Sequence, residues 1–508
     1  MKPTALIIGA GIGGIATAAR LAKNGYDVTV LEKEAAPGGR CNQIVRAGHR
    51  FDIGPTLFLM PEVWEDTFAS LGERMSDYLD LRRIDPTYKV HFDDGLQLEL
   101  TSDIGKMQTQ LEKVEPTAFA GFLNYLAEGS NHYKVSVEKF VGRNFYNLFE
   151  YFSPANLPLL FKLKALTRHY TNVGHYFKDE RLKAAFTFQN MYLGLSPYDA
   201  PATYSLLQYT ELAEGVWYPM GGMYAGIQAL VKIAEKLGVK FIYNMPVIKF
   251  QVEGSKVVAV ETADRRRLTA DIFVGNADLP YIYQELLPES IEAKKLNDKL
   301  YTCSTIMFYW GVDKEYKQIT HHNVFLGGDY KASFHQIFNE HTLPDVPSFY
   351  VHAPARTDPT AAPRWQDTLY VLVPVGHLDA RSEQDWDALV NRARETVFTR
   401  LAKEMGVNDL REHIKFEITY QPKTWKERFN LEKGAAFGLS HNFMQVGYLR
   451  PQNRHKQYKN LFFTGASTHP GTGLPIVLSS ARLTTERILK EASTIAVQKT
   501  AKPALTTA

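Results

Sequence analysis

Apolar residues change rhythm along this chain, and each rhythm predicts an element. Residues 4–8 (Thr-Ala-Leu-Ile-Ile) lack the alternation of a half-exposed strand and predict one buried on both faces, as in a parallel sheet. Over residues 13–24, Ile15, Ala19 and Leu21 recur along a helix, and Val28 to Leu31 is a second apolar run. Residues 4–32 therefore predict a strand, a helix and a parallel strand.

Farther on, residues 105–210 have helical periodicity and many aromatics, which predicts a helical insertion. Residues 217–223 open a helix to about Lys236, with strands near 239–243 and 247–252. Residues 257–261, 267–269 and 272–275 predict a small meander, and strands at 304–312, 348–352, 369–375 and 414–420 predict a second sheet. Residues 460–466 read as strand and 476 onward as helix, while the polar tail after Ala492 predicts disorder. The fold class is α/β, with a discontinuous Rossmann-like domain (1–75, 211–284 and 456–492) and a mixed-sheet substrate domain (76–104 and 285–455). The helical region is 105–210 and the disordered tail 493–508.

Glycines mark where chemistry enters. Gly9, Gly11, Gly13 and Gly14 lie between the first strand and helix, and Glu32 ends the second strand. Gly9 suits the tight turn, Gly11 close approach to a pyrophosphate at a helix N-terminus, and Gly14 close packing of helix on strand; Glu32 can bond a ribose hydroxyl. Pro37-Gly38-Gly39-Arg40 follows, offering backbone N–H groups and a fixed charge to a pyrophosphate. A second glycine loop, His469-Pro470-Gly471-Thr472-Gly473-Leu474-Pro475, opens the last helix and suits the flavin end of FAD, which is long enough to span both sites. No second G-x-G-x-x-G occurs, so a separate nicotinamide domain is not predicted.

Composition narrows the setting. At 508 residues several domains are expected, and 58 Lys plus Arg against 55 Asp plus Glu leaves no field that favours nucleic acid. Cys41 and Cys303 are far apart, supporting neither a disulfide framework nor a zinc site, and neither lies by the C-terminal loop where a flavin would be covalently attached. The first strand starts too close to Met1 for a signal peptide, and no uninterrupted apolar run reaches transmembrane length. A cytoplasmic, peripherally membrane-associated protein is expected. Residues 143–168 combine aromatics with Arg143, Lys162, Lys164 and Arg168, which fits either a monotopic membrane surface or a helical cap. Asp52 reads as a base or a turn cap, and His469 as a proton shuttle or a backbone-bonded loop histidine.

The segments Pro37–Arg40, Phe51–Pro55, Gly215–Gly222, Asn276–Asp278 and Thr468–Pro475 together resemble those of bacterial-type phytoene desaturases, in the amine-oxidase-like flavoprotein superfamily. Further landmarks of the resemblance are Leu326, Val351–Pro354, Val373–His377, Gly434–Phe437 and Arg450–Arg454. The resemblance implies stepwise desaturation of phytoene toward lycopene-like products, with a hydride passing to FAD. It also implies a carotene drawn from a membrane and oxygen or a quinone as electron acceptor. Glycine pattern and resemblance together place non-covalent FAD at Gly9, Gly11, Gly13, Gly14, Glu32, Gly39, Arg40, Gly54, Pro55, Thr56, Val247, Gly465, Ala466, Gly473, Leu474, Pro475, Ile476 and Val477. Competing readings are a carotenoid isomerase, a desaturase of a thirty-carbon or hydroxylated carotenoid, and a non-catalytic prenyl-binding escort protein.

Overall fold

The computed structural model describes residues 2–379 and 383–500, with side chains through Ala492. One part is a five-stranded parallel sheet in the order Leu461–Phe463, Ile272–Gly275, Thr4–Ile8, Asp27–Leu31, Lys240–Ile242. Thr4–Ile8 is buried on both faces, as its unbroken apolar run predicts. Ala5 and Ile7 face one core with helices Ile12–Lys23, Tyr224–Lys236 and the final helix, Leu474–Thr500. Leu6 and Ile8 face a second core with Phe250 and Val260 of a three-stranded antiparallel sheet, Val247–Glu253, Lys256–Thr262 and Arg267–Leu268.

Three elements differ from the sequence reading. Ile272–Gly275 leaves the expected meander and lies between Thr4–Ile8 and Leu461–Phe463, because its buried Phe273 and Val274 need cover on both faces. Trp217 to Pro219 are strand, not helix: Val216–Pro219 pairs with Leu81–Ile84, and the helix starts at Tyr224. The last helix continues past Ala492 to Thr500, where disorder was expected from residue 493, and the rest of that tail, 501–508, lies outside the described residues.

The second sheet has seven strands: Ile414–Tyr420, Ser304–Val312, Asp367–Val375, Phe349–His352, His322–Leu326, Tyr88–Phe92 and Gln97–Leu100. Ile306, Phe308 and Trp310 alternate toward a core with Val390, Val397 and Leu401 of helix Trp386–Met405. Thr305 and Met307 point the other way, into a cavity. That two-residue period gives the sheet one packed and one cavity face. Helices over 104–209 cover the remaining side, the longest being Ala118–Ser136.

Candidate active site

Consecutive strand ends of the parallel sheet open onto one cavity of about 660 Å³. Gly9 follows the first strand, Glu32 the second, Asn276 the strand Ile272–Gly275, and Thr464 the strand Leu461–Phe463; all four line it. Gly9 makes the turn at φ 101°, and Gly11 caps helix Ile12–Lys23 without a side-chain hydrogen bond, so backbone N–H groups of the first turn stay available. Side chains would close this mouth: a Cβ on Gly13 would lie 2.7 Å from Asn276 Oδ1, and one on Gly54 would lie 2.6 Å from the Arg40 carbonyl oxygen. These residues fit a dinucleotide.

Of the residues expected to touch the cofactor, Gly14 alone does not line the cavity. Its role is packing, since a Cβ there would lie 2.1 Å from the Gly9 carbonyl oxygen. Glu32 is buried and braces the loop, accepting from Ala10 N at 2.6 Å and Glu34 N at 2.9 Å. Burial raises its pKa, opposed by those two N–H groups. Arg40 donates to the Ala436 carbonyl at 2.8 Å, and burial lowers its pKa against the pull of Asp278. At the other end Gly473 (φ 102°) leads into the final helix, and residues 473–477 line the cavity.

Beyond the nucleotide end the lining turns apolar. Met307, Val324, Leu326 and Leu372 of the seven-stranded sheet face Val137, Phe140 and Leu160 of the helical region. Such a wall offers a ligand shape and contact area rather than hydrogen bonds.

Asp52 lies outside the cavity lining and caps helix Tyr224–Lys236, accepting from Met223 N at 3.0 Å and Tyr224 N at 3.2 Å. Burial pushes its pKa up to about 6. His469 lines the cavity, but its Nε2 lies 2.9 Å from the Arg143 carbonyl, and burial lowers its pKa to about 4. The capping and backbone-bonded readings therefore describe these two residues. Cys41 also lines the cavity as a protonated thiol, since burial raises its pKa well above the usual range.

Over residues 143–168, Phe149 is 87% exposed and Phe161 and Leu166 are each 74% exposed, while Leu160 and Leu163 face the cavity. Lys162 is exposed. Lys164, expected beside it as a surface cation, instead bridges Glu128 and bonds Asn172 at 2.7 Å.

The sequence reading named Asn276 only within a segment of the resemblance and gave it no cofactor role; it donates to the Gly9 carbonyl at 3.0 Å and occupies the space that side chains at Gly11, Gly13 and Gly14 would need. Its signal was a polar residue directly after the run Ile-Phe-Val-Gly. Tyr350, considered below, gave none.

The family model described as flavin containing amine oxidoreductase matches residues 12–489. The chain belongs to that family. It is 48% identical to a zeta-carotene-forming phytoene desaturase of Myxococcus xanthus over 95% of this chain and 93% of the relative. It is 33% identical to a 4,4'-diapophytoene desaturase (4,4'-diaponeurosporene-forming) of Staphylococcus aureus over 96% and 98%. These likenesses place it in the phytoene desaturase group. Among solved structures, putrescine oxidase bound to putrescine superposes with TM-score 0.60 at 14% identity, covering 98% of this chain and 99% of that one. A fatty acid isomerase from P. acnes superposes with TM-score 0.58 at 15% identity, covering 96% and 98%. These superpositions show a shared fold.

Proposed function

We propose that the protein is a carotenoid desaturase that oxidises phytoene in successive steps with non-covalent FAD. The observation that carries this is a single cavity, nucleotide-fitting at the strand ends and apolar along the second sheet. FAD, when bound, supplies the hydride acceptor. The chain's residues do the rest: the loops at Gly9–Gly14 and Gly473–Val477 hold the cofactor, and the apolar wall aligns the polyene and excludes water. In domain terms, segments 1–75, 211–284 and 456–492 hold FAD, and 76–104 with 285–455 hold substrate. A hydrocarbon is sorted by tunnel length and width, where one methylene is worth about 1–3 kcal/mol.

The exposed Phe149, Phe161 and Leu166, on segments whose inward residues line the cavity, support entry of carotene from a membrane on which the protein sits peripherally. No helix among the described residues is long and apolar enough to cross a membrane. The electrons leave to oxygen or a quinone. Expression in cells that accumulate phytoene tests the reading: pigments with longer conjugation are expected, and unchanged phytoene in cells holding the flavin-loaded protein would refute it.

A further inference from the structure

Strand His322–Leu326 pairs antiparallel with Phe349–His352 in a register that sets Val324 opposite Tyr350 and His322 opposite His352. Alternate residues share a face, so these four stand on one side of the sheet, and Val324 and Tyr350 line the cavity there. The Tyr350 hydroxyl lies 2.9 Å from Thr56 Oγ1 and 2.6 Å from His322 Nδ1. Thr56 closes the Gly54-Pro55-Thr56 turn, so this phenol sits where the cofactor loop meets the substrate wall. Other cavity tyrosines use their hydroxyls differently. Tyr370 donates to the Gly54 carbonyl at 2.7 Å, Tyr204 to the His441 carbonyl at 2.9 Å, and Tyr133 to Glu62.

Behind Tyr350 stands a buried imidazole cluster. One nitrogen from each of His321, His322 and His352 lies within 4.8 Å of the others, and His322 Nε2 is buried without a partner. His321 and His352 meet Nε2 to Nε2 at 3.1 Å, and His321 Nδ1 lies 2.7 Å from Oγ1 of the half-buried Thr357. Burial, reinforced by the two neighbouring rings, keeps the His322 pKa well below the usual histidine value, so its ring is neutral.

Building on the desaturase reading, we propose that Tyr350 is the catalytic proton acceptor of the reaction and His322 its proton sink. One carbon of the substrate gives a hydride, with two electrons, to oxidised FAD. The C–H bond on the adjacent carbon breaks and leaves its electron pair as the new double bond. Its proton goes to the Tyr350 oxygen while the Tyr350 O–H proton passes to His322 Nδ1, making an imidazolium. A weak base suffices, because a C–H bond beside a carbon losing hydride is strongly acidic. A neutral phenol and imidazole also spare the apolar tunnel a standing charge, whose burial would be costly.

The experiment compares the FAD-loaded wild type with Tyr350→Phe, His322→Gln and a control outside the cavity lining, Tyr78→Phe, whose hydroxyl donates to Glu73 at 2.9 Å. Melting temperature, flavin content, phytoene binding and the rate of anaerobic flavin bleaching by phytoene are measured for each. Tyr350→Phe should keep the first three and slow bleaching on the order of a hundredfold or more, within the range general bases contribute. His322→Gln should slow it at least tenfold, and Tyr78→Phe less than twofold. ¹⁵N-histidine NMR reads the hydrogen bond itself: Tyr350→Phe should shift the signal of a neutral ring that His322→Gln removes. Wild-type flavin that phytoene never bleaches would overturn the desaturase reading. Rapid wild-type bleaching with equally rapid Tyr350→Phe bleaching would overturn only the proton relay, as would a loss confined to Tyr78→Phe.

Discussion

Removing two exposed phenylalanines should detach the protein from lipid while leaving its flavin in place. Phe149 is 87% exposed and Phe161 74% exposed. Burying a phenylalanine side chain is worth about 2 kcal/mol, so scaling by exposure gives about 3 kcal/mol for the pair. At about 1.4 kcal/mol per decade, Phe149→Ser with Phe161→Ser should weaken vesicle binding on the order of a hundredfold. The folded protein loses little, because the replaced rings are mostly in water. Cosedimentation with vesicles of neutral and of anionic lipid is the assay, with flavin absorbance as the control for folding. Equal loss on both vesicle types is expected for an apolar contribution. Parent-like cosedimentation of the double variant would refute the docking argument and leave residues 143–168 as a helical cap. Lys162→Gln should cost a further factor of about five on anionic vesicles alone, at about 1 kcal/mol per cation.

Other perturbations probe the interior. Gly14→Ala, whose Cβ would lie 2.1 Å from the Gly9 carbonyl oxygen, should abolish flavin retention and destabilise the fold by about 1–3 kcal/mol, read by absorbance and denaturant melts. Asn276→Ala removes the donor to that carbonyl, and its flavin dissociation constant should rise about tenfold by fluorescence titration. Glu211 is buried, accepts from Tyr88 at 3.1 Å, and has a pKa raised by burial to about 8. Its folded value exceeds the unfolded one, so the stability it contributes is full below about pH 4.5 and is lost as pH rises toward 8. Glu211→Gln keeps the acceptor without the titration, so it should match wild type near pH 4.5 and exceed it by a few kcal/mol at pH 8 in melts. Acid precipitation should release the flavin entirely as free FAD; pigment left on the polypeptide would contradict non-covalent binding.

The nucleotide site was legible where its chemistry is local. Gly9 to Gly14 and Glu32 lie within one strand-helix-strand unit, so their spacing reports their geometry. The strand Ile272–Gly275 was misplaced because its partners, Thr4–Ile8 and Leu461–Phe463, are hundreds of residues away, and nothing in its own four residues names them. The role of Asn276 was missed for the same reason. Lys164 looked like a surface cation because the sequence does not reveal that Glu128 lies beside it. Tyr350 and His322 meet through strand register, and His322–Leu326 was not read as a strand at all, since its first two residues are polar.

The parallel sheet joins segments hundreds of residues apart in sequence. Thr4–Ile8 is made long before the strand that completes its side of the sheet, Leu461–Phe463, and the glycine loop at Gly473. Until then the nascent chain carries Gly9–Gly14 without the opposite jaw of the cavity, so tight capture of cofactor follows translation. A ligand that bridges both segments then acts as a clasp, stabilising the finished fold by RT ln(1 + [L]/Kd). The cell's flavin supply thereby becomes a determinant of how much of this protein survives after it is made.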